Sequence, residues 1–240
     1  MSHYFRFGDR STLDFDMHIE KLPTIKGPTR KRTTVSVPGR NGNLHFDEDA
    51  YSNYTQSYEC YFHGKLPTAE QTHAIREWLT ASGGYVRLED TYDPSHFRMA
   101  AFVGPLDVDN YFNKYGRCKI SFDCAPQSFL KSGENPIFIE QTGVIHNPTS
   151  KVSLPLVKVT CYGDGDVIIG TQHVVIKSMS GELYLDCETE NAYTISEGSM
   201  VNANSNIYAQ NFPRLKPGDN YVTWWGGVAN VEIIPRWWET

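Results

Sequence analysis

Only one stretch of this chain carries the periodicity of an amphipathic helix, and that restriction makes the expected fold mostly β. In residues 68–82, TAEQTHAIREWLTAS, the apolar side chains Ile75, Trp78 and Leu79 recur at i, i+3 and i+4 and build one face. Thr68 and Gln71 have capping-box spacing. Gly83-Gly84 offers the residues that tolerate a left-handed stop. The helix is expected to lay its apolar face on a sheet, with Trp78 in the core rather than against a cofactor.

Most of the remaining chain reads as strands. Residues 33–37 are β-branched and run into a turn cluster, Pro38-Gly39-Arg40-Asn41-Gly42, which includes an Asn-Gly pair. Residues 54–62 alternate and are rich in aromatics, as a half-buried strand should be. Residues 85–88, 98–103 and 118–124 complete the first half. The connection 105–116 is expected to be a hairpin arm, because Val108, Tyr111 and Phe112 are too apolar for a solvated loop. A boundary is expected at residues 131–136, KSGENP, which have the composition of a linker. Beyond it seven short strands are expected: 156–161, 167–169, 173–178, 183–187, 192–195, 221–225 and 231–235. Turn residues such as Tyr162-Gly163-Asp164-Gly165, Ser180-Gly181 and Lys216-Pro217-Gly218-Asp219 separate them, a spacing that suggests a β-sandwich.

Charge and motifs exclude several function classes. The formal net charge is -6, with 16 Lys+Arg against 17 Asp+Glu through Asn135 and 6 against 11 after it. No basic face of the kind that nucleic acid needs is visible. The one basic cluster, Arg30-Lys31-Arg32, reads either as a solvated loop or as a contact with an acidic neighbouring subunit. Five cysteines, an odd number with no CxxC, argue for reduced thiols in a protein assembled in a cytoplasm. Cys118 and Cys124 would share a strand face roughly 20 Å apart, too far to bond. The start, MSHYFRFGDR, lacks a signal-peptide apolar region, and no segment approaches a membrane span. GxSxG, Walker A and HExxH are absent, and no His or Cys pair has metal-ligand spacing. No catalytic residue, metal ligand or cofactor is therefore expected. Asp164-Gly-Asp166 reads as a hairpin turn rather than a cation loop. Asp47-Glu48-Asp49 reads as a solvated loop, as a partner for a basic neighbour or as a calcium ligand set.

Four of the five tryptophans, Trp224, Trp225, Trp237 and Trp238, crowd the end of the chain. On a strand, adjacent residues face opposite ways. One of Trp224 and Trp225 should therefore enter the core. The other is either covered by the chain end or stands out as a protein contact or a sugar-stacking platform.

Six segments, taken in order, resemble the phage distal tail (Dit) family. They are Val35-Ser-Val-Pro-Gly-Arg-Asn-Gly-Asn-Leu44; Ile75-Arg-Glu-Trp-Leu79 with Gly84-Tyr85 and Leu88; Ile120-Ser-Phe-Asp-Cys-Ala-Pro126; Asn147-Pro148 through Ser153-Leu-Pro155; Leu183-Tyr-Leu-Asp-Cys-Glu188 with Tyr193; and Phe212-Pro-Arg-Leu-Lys-Pro-Gly-Asp-Asn220. Thr149 departs from the pattern where a Gly is common. The resemblance implies a ring-forming hub domain over 1–134, β-rich with one α-helix and an extended hairpin. It implies a galectin-like β-sandwich over 135–240. It further implies a non-enzymatic, six-membered ring of copies at the virion tail tip. Such a ring joins the tail tube protein to the tail-tip spike protein and anchors receptor-binding proteins. Arg30, Lys31, Arg32, Val108, Tyr111 and Phe112 are the residues expected at the subunit interface, with Trp224 and Trp225 as a glycan or partner contact. The competing function is a carbohydrate-binding module that recognises host cell-wall glycan.

Overall fold

The computed structural model describes residues 3–64, 67–140 and 142–240. The fold is mostly β, with a single α-helix among the described residues. The chain divides into two compact units, Met1–Ser128 and Phe129–Glu239. No helix of the described residues is long and apolar enough to cross a membrane.

In the first unit, β1 (Phe5–Phe7), β2 (Arg10–Ser11) and β3 (Met17–Ile19) precede a hairpin of β4 (Arg30–Ser36) and β5 (Asn43–Tyr51). There follow β6 (Tyr54–His63), α1 (Thr68–Thr80), β7 (Val86–Asp90), β8 (His96–Phe102), β9 (Val108–Tyr111) and β10 (Tyr115–Leu130). The main sheet runs β2-β1-β7-β8-β10-β6-β3, with β9 also paired to β10. Period-two alternation buries Tyr58, Cys60 and Phe62 from β6 and Cys118, Ile120, Phe122 and Cys124 from β10. Helix α1 adds Ile75, Trp78 and Leu79 to the same core. The Trp78 ring stacks 4.9 Å from Phe15, and its indole N–H donates to the Phe7 carbonyl at 3.1 Å. That bond satisfies the polar edge that a buried Trp carries.

The helix ends differ from the sequence expectation. Pro67 is the N-cap, so Thr68 lies inside the first turn with its hydroxyl buried and unbonded. The Gln71 side chain reaches away to donate to the Phe15 carbonyl, and no capping box forms. Tertiary packing has taken the side chain that the cap would need. The helix stops at Thr80, and neither Gly83 nor Gly84 takes a left-handed φ.

One charged network is buried in this unit. The Arg98 guanidinium bridges Asp90 and Asp93, each at 3.2 Å. Asp90 also accepts from the Tyr58 hydroxyl at 2.7 Å and from the backbone N–H groups of Tyr92 and Asp93. Burial pushes the Tyr58 hydroxyl pKa far up, and the Asp90 carboxylate adds to the shift.

The second unit begins on the last two residues of β10. The segment 131–134, of linker composition, is here a 3-10 turn with Gly133 buried. A side chain at Gly133 would collide with the backbone of Trp237, and the Arg236 N–H donates to the Gly133 carbonyl at 2.9 Å. The missing Cβ lets the end of the chain lie on this turn, so the segment is packed rather than loose. Then come β11 (Ile137–Ile139), β12 (Thr142–Asn147), β13 (Leu156–Ile169), β14 (Gln172–Asp186), β15 (Asn191–Ser196), β16 (Ser199–Asn202), β17 (Ile207–Ala209), β18 (Gly218–Ile234) and β19 (Trp238–Glu239).

Six of the seven expected short strands are three long ones. Strand β13 joins 156–161 to 167–169, β14 joins 173–178 to 183–187, and β18 joins 221–225 to 231–235. Gly163, Gly165, Gly181, Gly226 and Gly227 mark bends within strands, where the β13–β14 and β13–β18 registers shift, rather than turns between them. At one end β13 and β18 pair through Val167↔Trp224, with β12 on β18 and β17 on β14; at the other they pair through Val157↔Ile233, with β11 on β18, β15 on β14 and β16 on β15. The inward side chains of both ends form one core. The three bent strands thus supply both layers of a sandwich.

The bend needs its glycines. A Cβ on Gly227 would stand 2.6 Å from the Tyr162 carbonyl oxygen and 3.0 Å from that of Asp164. Gly227→Ala should therefore destabilise the second unit by about 1–3 kcal/mol in urea denaturation, the usual cost of overpacking. An unchanged midpoint would contradict the bend.

The end of the chain is tied by charge. Arg236 donates to Asp186 at 2.6 Å and to Glu188 at 3.3 Å. Burial pushes the Asp186 carboxyl up, but the hydrogen bond and charge of Arg236 outweigh it and hold the group below the usual carboxylate range. A depressed folded pKa contributes stability that is present above the unfolded value and lost as pH falls through the folded one. The stability gap between wild type and Arg236→Met should be full at neutral pH and close below about pH 4. A gap that does not vary with pH would show that Arg236 acts only through packing.

Candidate interaction surfaces

The hairpin β4–β5 forms a two-stranded sheet of its own, off the main sheet. Its register pairs Val35 with Leu44, Thr33 with Phe46, Thr34 with His45 and Arg32 with Asp47. Alternation then sorts the side chains by face. One face carries Thr33, Val35, Leu44 and Phe46; the other carries Arg32, Thr34, His45 and Asp47. Phe46 is 56 % exposed, and Val35 and Val37 are exposed too. An isolated two-stranded hairpin is marginal in water. One with an uncovered apolar face has the makings of a contact arm.

The basic cluster lies on this arm and is not a loop. Arg30 pairs with Asp47 at 2.6 Å and Asp49 at 2.9 Å, and Arg32 approaches Asp47 at 4.0 Å. The hydrogen bond from Arg30 holds the Asp47 carboxyl below its ordinary range. The acidic run 47–49 is thereby the partner of the basic run on the facing strand. Only Lys31 of the three has no ion pair among the described residues. Cross-strand pairing, invisible in a linear reading, brings the two runs together.

The connection 105–116 is shorter than an arm. Strand β9 pairs with β10 through Val108↔Cys118 and Tyr111↔Tyr115. Val108 packs on the core of the unit, and Tyr111 meets the Tyr115 ring at 6.0 Å. Phe112 and Asn113 take left-handed φ values of 54° and 53° at the tip, and Phe112 is 98 % exposed. A bulky residue is rare in that conformation. The extended hairpin is instead the one at 30–51.

No protein-family model matches the sequence, and no curated protein matches it. Solved structures do match, over almost the whole chain. A structure titled as SPP1 Dit (gp 19.1), "a paradigm of hub adsorption apparatus in Gram-positive infecting phages", is similar at a TM-score of 0.74. The match covers 97% of this chain and 98% of that one at 10% identity. The chain has the fold of a phage Dit protein. The phage P2 baseplate, in its activated conformation with Ca, is similar at a TM-score of 0.57 and 11% identity, covering 97% of each chain. Its counterpart with Sr scores 0.57 at 10% identity, over 97% of this chain and 98% of that one.

Within this Dit fold, the two neighbouring tryptophans separate as strand geometry requires. Trp224 is 7 % exposed in the core, and Trp225 is 47 % exposed on the outer face of β18. The chain end does not cover Trp225. Trp237 is itself buried, and the Trp238 indole N–H donates to the Val152 carbonyl at 2.9 Å, with Lys151 over its ring. Beside Trp225, His173 contacts the indole at 5.8 Å between ring centroids and bonds Asp166 at 2.8 Å.

Both members of the acidic pair 164/166 bond protein groups, Asp166 through one oxygen to His173. Asp164 accepts from the Ser178 N–H at 2.8 Å and from Lys177 at 3.0 Å, bracing the bend. Among the described residues, no three His, Cys, Asp or Glu side chains are grouped to hold a metal. All five cysteines are buried and unbonded to one another. Burial pushes the Cys118 and Cys187 thiols up to about 12 and Cys124 to about 11, so thiolate is scarce at neutral pH.

Proposed function

We propose that this chain is a structural hub protein of a phage tail tip. Copies of the first unit close into a ring, six by the family pattern, that joins the tail tube protein to the tail-tip spike protein. The second unit anchors receptor-binding components at the periphery. The observation that carries this reading is the β4–β5 arm, whose apolar face is uncovered on the single chain. A heterologous contact in which each arm lies on the next copy covers that face, and rotation closes such contacts into a ring. Likeness to hub and baseplate proteins across both units supports the same role. The reading is non-enzymatic: the buried thiols are held protonated, and the paired carboxylates serve as structural braces. The exposed Phe112 tip and the Lys31 ammonium remain as further interface contacts.

The location is tested on virions. Gold-labelled antibody against the chain, applied to particles of the phage or induced prophage that encodes it, should mark the tail end distal to the capsid. Label along the tube or on the capsid would overturn the assignment.

A further inference from the structure

We propose that the outer face around Trp225 is a binding site for an uncharged oligosaccharide, a function that the hub role neither requires nor supplies. On β18 the residues Tyr221, Thr223 and Trp225 alternate with buried Val222 and Trp224, so the three stand on one outward face. Tyr221 is 67 % exposed. Four residues apart, the two positions are about 13 Å from each other along the strand. A short linear glycan spans that distance, with an apolar sugar face on each ring.

The groups between and beside the rings suit the hydroxyl rim of a sugar. Asp166 sits directly across from Trp225 on β13. His173 bonds one oxygen of Asp166 at 2.8 Å and fixes its orientation. That leaves Asp166 Oδ2 as an acceptor and His173 Nδ1 as a second polar contact at the edge of the indole. On the other flank Thr142 pairs with Thr223, their hydroxyls 3.4 Å apart. An indole platform bordered by a braced carboxylate and two hydroxyls presents both surfaces a pyranose offers, its C–H face and its hydroxyl edge.

Charge selects the class of glycan. Asp166 faces the ligand, and the chain after Asn135 carries 11 Asp+Glu against 6 Lys+Arg. An anionic polymer is repelled by such a surface, while an uncharged saccharide is not.

The test uses the full chain, titrated by calorimetry and tryptophan fluorescence with chitotetraose, cellotetraose and maltotetraose, and with polygalacturonate as the anionic probe. At least one uncharged tetraose should bind with a Kd of about 1 mM or tighter. Trp225→Ala should weaken it roughly tenfold or more. Asp166→Asn and Tyr221→Ala, both on the outward face, should each weaken it with little change in melting temperature. The site is overturned if none of the three tetraoses binds, if Trp225→Ala binds as wild type does, or if polygalacturonate alone binds. Ring mass is read separately, so failure here leaves the hub reading standing.

Discussion

Replacing Val35 and Phe46 together by Asp should abolish the proposed ring while leaving each chain folded. The two side chains share the apolar face of the β4–β5 arm and are exposed on the single chain. Exposed positions of this kind usually change protomer stability by less than about 0.5 kcal/mol. In the proposed ring the same face is covered. Burying a Phe or Val side chain contributes about 1.5–3 kcal/mol. The substitution removes that gain twice and forces two unpaired carboxylates into a dry contact, which costs more. Self-association should weaken by well over a hundredfold, past about 3 kcal/mol per contact. Arg30→Gln makes the contrast. Its partners Asp47 and Asp49 lie on its own arm, so it should loosen the hairpin and leave most of the assembly. Assembly surviving V35D/F46D, but lost in Arg30→Gln, would place the contact on the charged face instead.

The second large effect concerns the first unit alone. Arg98→Met should destabilise it by about 3–5 kcal/mol in urea denaturation, because the change strands a buried carboxylate. The Arg98 and Asp90 side chains are 10% and 5% exposed, so solvent does little to replace the lost partner. Burial on its own would lower the Arg98 pKa, yet the surrounding tyrosines and aspartates raise it, so the guanidinium is a fixed cation. Removing both charges in Asp90→Asn/Arg98→Met should cost less than Arg98→Met alone, since no unpaired charge remains. Tyr58→Phe should cost only about 1 kcal/mol, the net value of one hydrogen bond, because three other donors still serve Asp90. A loss for Arg98→Met no larger than that for Tyr58→Phe would mean that water reaches the network.

Legibility followed the range of the interactions involved. The α1 face was readable because Ile75, Trp78 and Leu79 meet one core through local spacing. Its caps were not, because Gln71 bonds to Phe15, 56 residues away. The sandwich was readable from short strand-like runs spaced by turn residues, yet the long strands were not. Gly165, Gly226 and Gly227 look like turn residues in sequence; that they allow close backbone approach within a bent strand depends on neighbours from other strands. The short strands β1 and β3, of three residues each, carry too little pattern to stand out, although Phe5, Phe7 and Met17 sit at the centre of the core. The arm was half visible. Residues 33–37 and the Asn-Gly turn were evident, but β5 reads as a charged run because its alternation becomes apolar only when paired with β4. That Trp224 and Trp225 point opposite ways followed from the dipeptide; that Trp225 is the outward one did not, and its neighbours His173 and Asp166 come from β14 and β13 and carry no linear signal.

Mass in solution tests the central claim most directly. Light scattering coupled to size exclusion, over a concentration series, should show a species about six times the 27.3 kDa of one chain. That species should collapse to one chain in V35D/F46D. A strict monomer at every concentration, alone and with tail-tip partners present, would contradict a ring closed by the arm.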